Sequence, residues 1–68
     1  MWMSTPPAIP GDYTASTERN PEALRHWTGR RWSAPWYRDD PQGHAVQARA
    51  TPARTEGAPI EWVDHAAR

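Results

Sequence analysis

The 68-residue chain contains no cysteine, no lysine and no phenylalanine. Its whole supply of Leu, Ile and Val is Ile9, Leu24, Val46, Ile60 and Val63. Each absence excludes something. Without cysteine there is neither a disulfide framework nor a thiolate metal site. Eight arginines balance eight acidic residues, so net charge is zero and provides no electrostatic drive onto nucleic acid or an anionic membrane. No window is long and apolar enough for a membrane span, and MWMSTPPAIPGD has neither the basic segment nor the apolar run of a signal peptide. A soluble, non-exported protein is expected. Chains of this size support only a marginal core, and scarce aliphatics make it thinner still. The expectation is a small, mostly irregular and extended chain with little independent core, which gains burial by lying on a partner.

What the chain has instead is tryptophan, arginine and proline: five Trp, eight Arg and eight Pro. Residues 1–12 read as an extended arm. Pro6, Pro7 and Pro10 fix φ and remove donors, Pro10-Gly11-Asp12 signals a turn, and Met1, Trp2 and Met3 form an apolar hook at the tip. Residues 13–37 hold most of the aromatics. Within them Asn20-Pro21-Glu22 offers a helix start, and a short helix from Pro21 to about Trp27 is one reading, although Gly29 and Pro35 prevent it from running on through Trp32. A central β-hairpin over about 24–33 is preferred, with Thr28-Gly29 as a two-residue loop and Asn-Pro-Glu as a single turn before it. In that register Trp27 faces Arg30 and Arg25 faces Trp32, all on one face, so each guanidinium would lie over an indole.

Residues 38–58 read as a linker with a short apolar segment, HAVQARA, in which Ala and Gln suit a helix. Residues 59–68 form a C-terminal docking segment. It is either a short helix from Pro59 with Ile60, Val63 and Ala67 on one stripe, or a brief strand, IEWV, added to a sheet edge.

Residues 10–32 resemble a short Trp-rich actinobacterial domain of unknown function. Its pattern runs Pro-Gly-Trp-Tyr-x-Asp-Pro, a polar gap, then Leu-Arg-Tyr-Trp-Asp-Gly-x-x-Trp. Pro10, Gly11, Tyr13, Leu24, Arg25, Trp27, Gly29 and Trp32 match it, while Asp12 stands where that family has Trp and Thr28 where it has Asp. The resemblance covers about a third of the chain and implies a small β-meander acting as an accessory module. Trp32-Ser33-Ala34-Pro35 is also similar to the end of WW domains, which stack proline-rich ligands between aromatics. On that likeness, Pro6-Pro7 would be able to fill such a groove within the molecule.

Chemistry is sparse. His26, His44 and His65 are far apart in sequence, so no metal site is expected. Asp39-Asp40 before Pro41 is a solvated turn, and Ser33 with His26 has no orienting acid apparent. No catalytic residue, metal or cofactor is assigned, and an enzyme is not expected. Arg and Trp dominate buried protein contacts. The expected partner-binding residues are therefore Tyr13, Arg25, Trp27, Arg30, Trp32, Trp36 and Tyr37 in the central module. Trp2 on the arm and Ile60, Trp62 and Val63 near the C-terminus are expected as outlying contacts.

Absent lysine and 11 alanines suggest a GC-rich genome, as in an actinobacterium or one of its phages. By composition the chain resembles a minor virion protein of an actinobacteriophage, a capsid decoration or cement protein in many copies on a symmetric assembly of capsid or tail proteins. A free-standing WW-like peptide-binding or regulatory module of the bacterial cytoplasm is the alternative.

Overall fold

The computed structural model describes residues 1–40, 42–54 and 59–63. Strands β1 (Gly11–Ser16), β2 (Ala23–Trp27) and β3 (Trp36–Tyr37) precede helix α1 (Gln42–Arg49) and strand β4 (Glu61–Val63). They form a four-stranded sheet in the order β3-β2-β1-β4 with every pair antiparallel. The expected small, mostly irregular and extended chain with a central hairpin forms, and of the two readings near the C-terminus, helix or strand, the strand is the one present.

The β1–β2 connection is built by polar side chains. Ser16 Oγ accepts from the Glu18 amide at 3.0 Å, and Asn20 Oδ1 accepts from the Glu22 amide at 2.9 Å. Each bond offers the backbone a turn in place of a helix. Asn-Pro-Glu therefore delivers the chain into β2 as a turn, closed by the Ala23 amide on the Asn20 carbonyl. Arg19, with φ 57°, occupies the left-handed region in this loop.

At the central hairpin the pairing differs by two residues from the register expected. Trp27 lies opposite Trp32, and the Thr28 amide donates to Arg31 O, so the loop has four residues, 28–31. A two-residue type I′ loop would need positive φ at Thr28 as well as at Gly29. Among the described residues only Gly29, at φ 100°, and Arg19 have it. A β-branched residue resists that region, and the longer loop brings two indoles into tilted contact instead, their planes at 54°. The Thr28 hydroxyl braces the loop by accepting from the amides of Arg30 and Arg31, both at 3.2 Å. Arg30 is consequently a loop residue and not the cross-strand partner of Trp27, nor is Arg25 that of Trp32.

The returning strand contains a bulge. Ser33 pairs with His26 and Trp36 with Leu24, so Ala34 and Pro35 together oppose Arg25. Proline is tolerated there because no ladder bond is required of it. On the far side, residues 32–34 are also tied to 51–53, through Ala34 N to Thr51 O and Ala53 N to Trp32 O.

Residues opposite one another share a face, so the register sorts the sheet. One face carries Tyr13, Ala15, Arg25, Trp27, Trp32 and Trp62, and the other carries Asp12, Thr14, Leu24, His26 and Trp36. The second face is partly covered by α1, which packs on β2 and β3 and buries Ala48. The buried apolar set is Ala15, Ala23, Trp27, Trp36, Ala48, Ile60 and Trp62: small alanines beneath indoles, with one aliphatic. Near the C-terminus the strand reading holds, because Ile60 and Trp62 are buried at alternate positions and β4 adds to β1. Of the expected docking segment, residues 64–68 lie outside the described residues, as do 55–58 of the linker.

Replacing Gly29 with Ala should destabilise the protein by about 1 kcal/mol or more, since the penalty comes from φ and not from crowding. The nearest atom to an added Cβ is Pro10 Cγ at an ordinary 3.5 Å. Urea denaturation followed by tryptophan fluorescence measures the difference.

Candidate functional site

Four aromatic rings run across the first face of the sheet. Trp27 and Trp32 have centroids 5.1 Å apart, Trp32 meets Tyr13 edge-on at 6.1 Å, and Tyr13 meets Trp62 edge-on at 5.0 Å. Edge-to-face contact places the positive ring edge on the negative ring face, adding about 0.5–1.5 kcal/mol per pair beyond burial. Tyr13 Oη donates to Ile9 O at 2.6 Å, which anchors the chain where the arm enters β1.

An open groove of about 400 Å³ borders this row. Trp27, Trp32 and Ile60 supply apolar walls, Pro6 and Pro52 flank them, Ala53 adds a small surface, and Arg30 and Arg31 stand on the rim. Arg31, Trp32 and Pro52 also line a smaller depression of about 250 Å³ that reaches Thr28, Arg49 and Thr51. Arginines 19, 38 and 49 approach Glu61, Glu22 and Asp12. Arg30 and Arg31 have no carboxylate partner among the described residues, and both are exposed.

On the opposite face, Asp12 ties α1 to the sheet. Arg49 Nη2 donates to Asp12 Oδ2 at 2.8 Å and Arg49 Nε to the same oxygen at 3.2 Å, while His26 Nδ1 lies 2.8 Å from Asp12 Oδ1. The Arg49 guanidinium in turn lies over the Trp36 ring, 4.7 Å from its centroid. Burial pushes the Asp12 carboxyl up, but hydrogen bonds from Arg49 and His26, with their nearby charge, outweigh it and hold the carboxyl below the usual aspartate value. Arg19 does the same to part-buried Glu61 through a bond of 2.9 Å.

Asp12 is thus the acid beside His26 that sequence spacing did not reveal. Ser33 nevertheless donates from Oγ to Ala34 O and accepts there from the His26 backbone amide. The three side chains do not form a relay. Among the described residues no group of three His, Asp or Glu could hold a metal ion, and no helix is long and apolar enough to cross a membrane.

The residues expected to contact a partner fall into two sets. Arg25, Trp27, Trp36, Ile60 and Trp62 are buried against the chain itself, although Trp27 and Ile60 still present surface to the groove. Arg25 Nη1 donates to Ser33 O at 2.9 Å, and burial pushes the guanidinium pKa down. Trp2, Tyr13, Trp32 and Val63 are part-buried, Tyr37 is 37% exposed and Arg30 is fully at the surface. The groove brings together Trp27, Arg30, Trp32 and Ile60 from the expected set. Trp2, Tyr37 and Val63 do not line it. Arg31 and Pro52 were not among the expected partner contacts, and Pro6 was expected beside such a groove only through the WW likeness.

No family model, curated protein or solved structure matches this chain.

The Asp12 linkage fixes a pH response. A carboxyl held low in the folded state contributes stability above its unfolded value of about 4, and that contribution disappears as pH falls through the folded value. Urea midpoints should drop between pH 6 and pH 3, with Trp36 fluorescence reporting loss of the Arg49 stack. Asp12→Asn should start lower and fall less over the same interval.

Proposed function

We propose that the protein is a non-enzymatic interaction module that docks on a larger protein assembly by holding an extended, proline-bearing, acidic segment of it. The observation that carries this reading is the groove itself: an indole-walled, open trough with two arginines on its rim that the described carboxylates leave unpaired. Proline rings stack on indoles, and the polyproline conformation is stiff before binding, so little ordering entropy is lost. Arginine on the rim favours an acidic ligand and speeds its approach. Trp and Arg at the centre of a contact are the residue types whose loss costs most.

The molecule offers a precedent for this recognition. Trp62 Nε1 donates to the carbonyl of Thr5, directly before Pro6-Pro7; Pro7 is buried, and Pro6 forms part of the groove. An aromatic face that seats one proline-bearing strand through an indole N–H is chemically suited to seating another beside it. For the setting, composition suggests the assembly to be an actinobacteriophage virion, in which the module would serve as a decoration or cement protein. The alternative cytoplasmic module would use the same groove.

Titration of the protein with a ten-residue peptide of alternating proline and glutamate, followed by tryptophan fluorescence, tests this reading. Saturable binding is expected, and the Arg30→Glu, Arg31→Glu double variant should weaken it at least tenfold, about 1.4 kcal/mol. Both arginines sit in an exposed loop, so the variant leaves the sheet intact. Trp32→Ala should weaken binding further. Absence of binding, or equal binding of a proline-lysine peptide, would overturn the proposal.

A further inference from the structure

The depression of about 250 Å³ adjoins the groove, since Arg31, Trp32 and Pro52 line both. Three hydroxyls also line it, and each gives its proton within the chain: Thr28 to Arg31 O at 3.3 Å, Ser33 to Ala34 O at 2.9 Å and Thr51 to Gln47 O at 2.8 Å. The side-chain donors left for a ligand are the Trp32 indole N–H and the guanidinium groups of Arg31 and Arg49. Arg49 directs Nε and Nη2 to Asp12 Oδ2, at 3.2 and 2.8 Å, which meets its charge. Arg31 is exposed and its guanidinium has no partner among the described residues.

We propose that this depression is an acid-reading subsite of the groove: it receives one aspartate or glutamate side chain of the docked segment, with the carboxylate on Arg31, while the neighbouring proline lies on Trp32. The inference rests on the groove reading and adds to it where along the segment the charge must fall. Charge sets the class of ligand. With Arg49 matched by Asp12, the lining residues carry one uncompensated positive charge, that of Arg31, and a single carboxylate balances it. A guanidinium holds a carboxylate through two parallel charge-assisted bonds, stronger than those it makes to a neutral amide, so glutamine in the same place is the weaker ligand. Shared walls set the position. Trp32 and Pro52 belong to both hollows, and a polyproline segment advances only about 3.1 Å per residue, so the residue beside a proline stacked on Trp32 is the one that enters the depression. Arg30 borders the groove alone. The two adjacent arginines therefore differ in role: Arg31 fixes one acid in place, and Arg30 contributes general attraction.

The test uses the full chain and two ten-residue peptides blocked at both ends, one alternating proline and glutamine, the other with a single central glutamine replaced by glutamate. Titration followed by tryptophan fluorescence should show the glutamate peptide binding at least about fivefold tighter, roughly 1 kcal/mol. Ala50→Glu, at an exposed position that lines the depression but not the groove, puts a carboxylate of the chain's own into the subsite and should bring the ratio of the two dissociation constants close to one. Arg31→Gln should do the same, whereas Arg30→Gln should keep the ratio. A ratio of one in the unsubstituted chain, a ratio that survives Ala50→Glu, or one that falls as far in Arg30→Gln as in Arg31→Gln would overturn the subsite and leave the groove standing. Failure of both peptides to bind would remove the groove reading and the subsite with it.

Discussion

Tyr13 is the ring on which the structure turns. Standing on the second strand from the β4 edge, it meets Trp32 of the hairpin on one side and Trp62 of β4 on the other, joining the middle of the chain to its last strand. A chain with one leucine cannot fill a conventional interior. It uses alanine to let strands and helix approach, and indoles to cover the space between. Flat rings meeting at their edges leave gaps at the margin that branched aliphatics would close. The groove beside Trp27 and Trp32 is such a margin, so the same scarcity that makes the fold aromatic also leaves the site open.

The two faces of the sheet divide the labour. On one, the aromatic row and its arginine rim remain accessible around the groove. On the other, Asp12, His26, Arg49 and Trp36 fasten a helix whose own apolar content is too small to hold it, with Ala48 buried and Val46 65% exposed. The helix is thus held mainly by charge and cation–π contact. Its role is positional: the residues after it, 51–53, pair with 32–34 and bring Pro52 to the groove wall. A carboxylate on β1 in this way helps shape a site on the opposite face.

Much of the fold could be read from the sequence, because its signals are local. Asn20-Pro21-Glu22 specifies a turn through its own side chain, Gly29 marks the reversal, and alternation at Ile60-Glu61-Trp62 marks a strand once a sheet edge is supposed. The hairpin register was not legible in the same way. It depends on Thr28 refusing positive φ and on the gain from pairing Trp27 with Trp32, a balance that spacing alone does not settle. The bulge at Ala34-Pro35 follows from that register and was equally hidden. The roles of Asp12, Arg49 and Pro52 were hidden because each acts through a residue distant in sequence. The aromatic residues were read as anchors for a partner, and three of those seven, Trp27, Trp36 and Trp62, are instead buried as the internal packing of a chain with little else to pack.

The most direct measurement is the near-ultraviolet circular dichroism of Tyr13→Leu against the unsubstituted chain, followed through urea. Leucine keeps apolar volume but has no ring edge to offer Trp32 and Trp62. If the aromatic row holds the sheet, the variant loses its tryptophan signal and its cooperative transition, or shifts the transition by about 1–3 kcal/mol for two ring contacts. An unchanged signal with an unchanged midpoint would contradict the account.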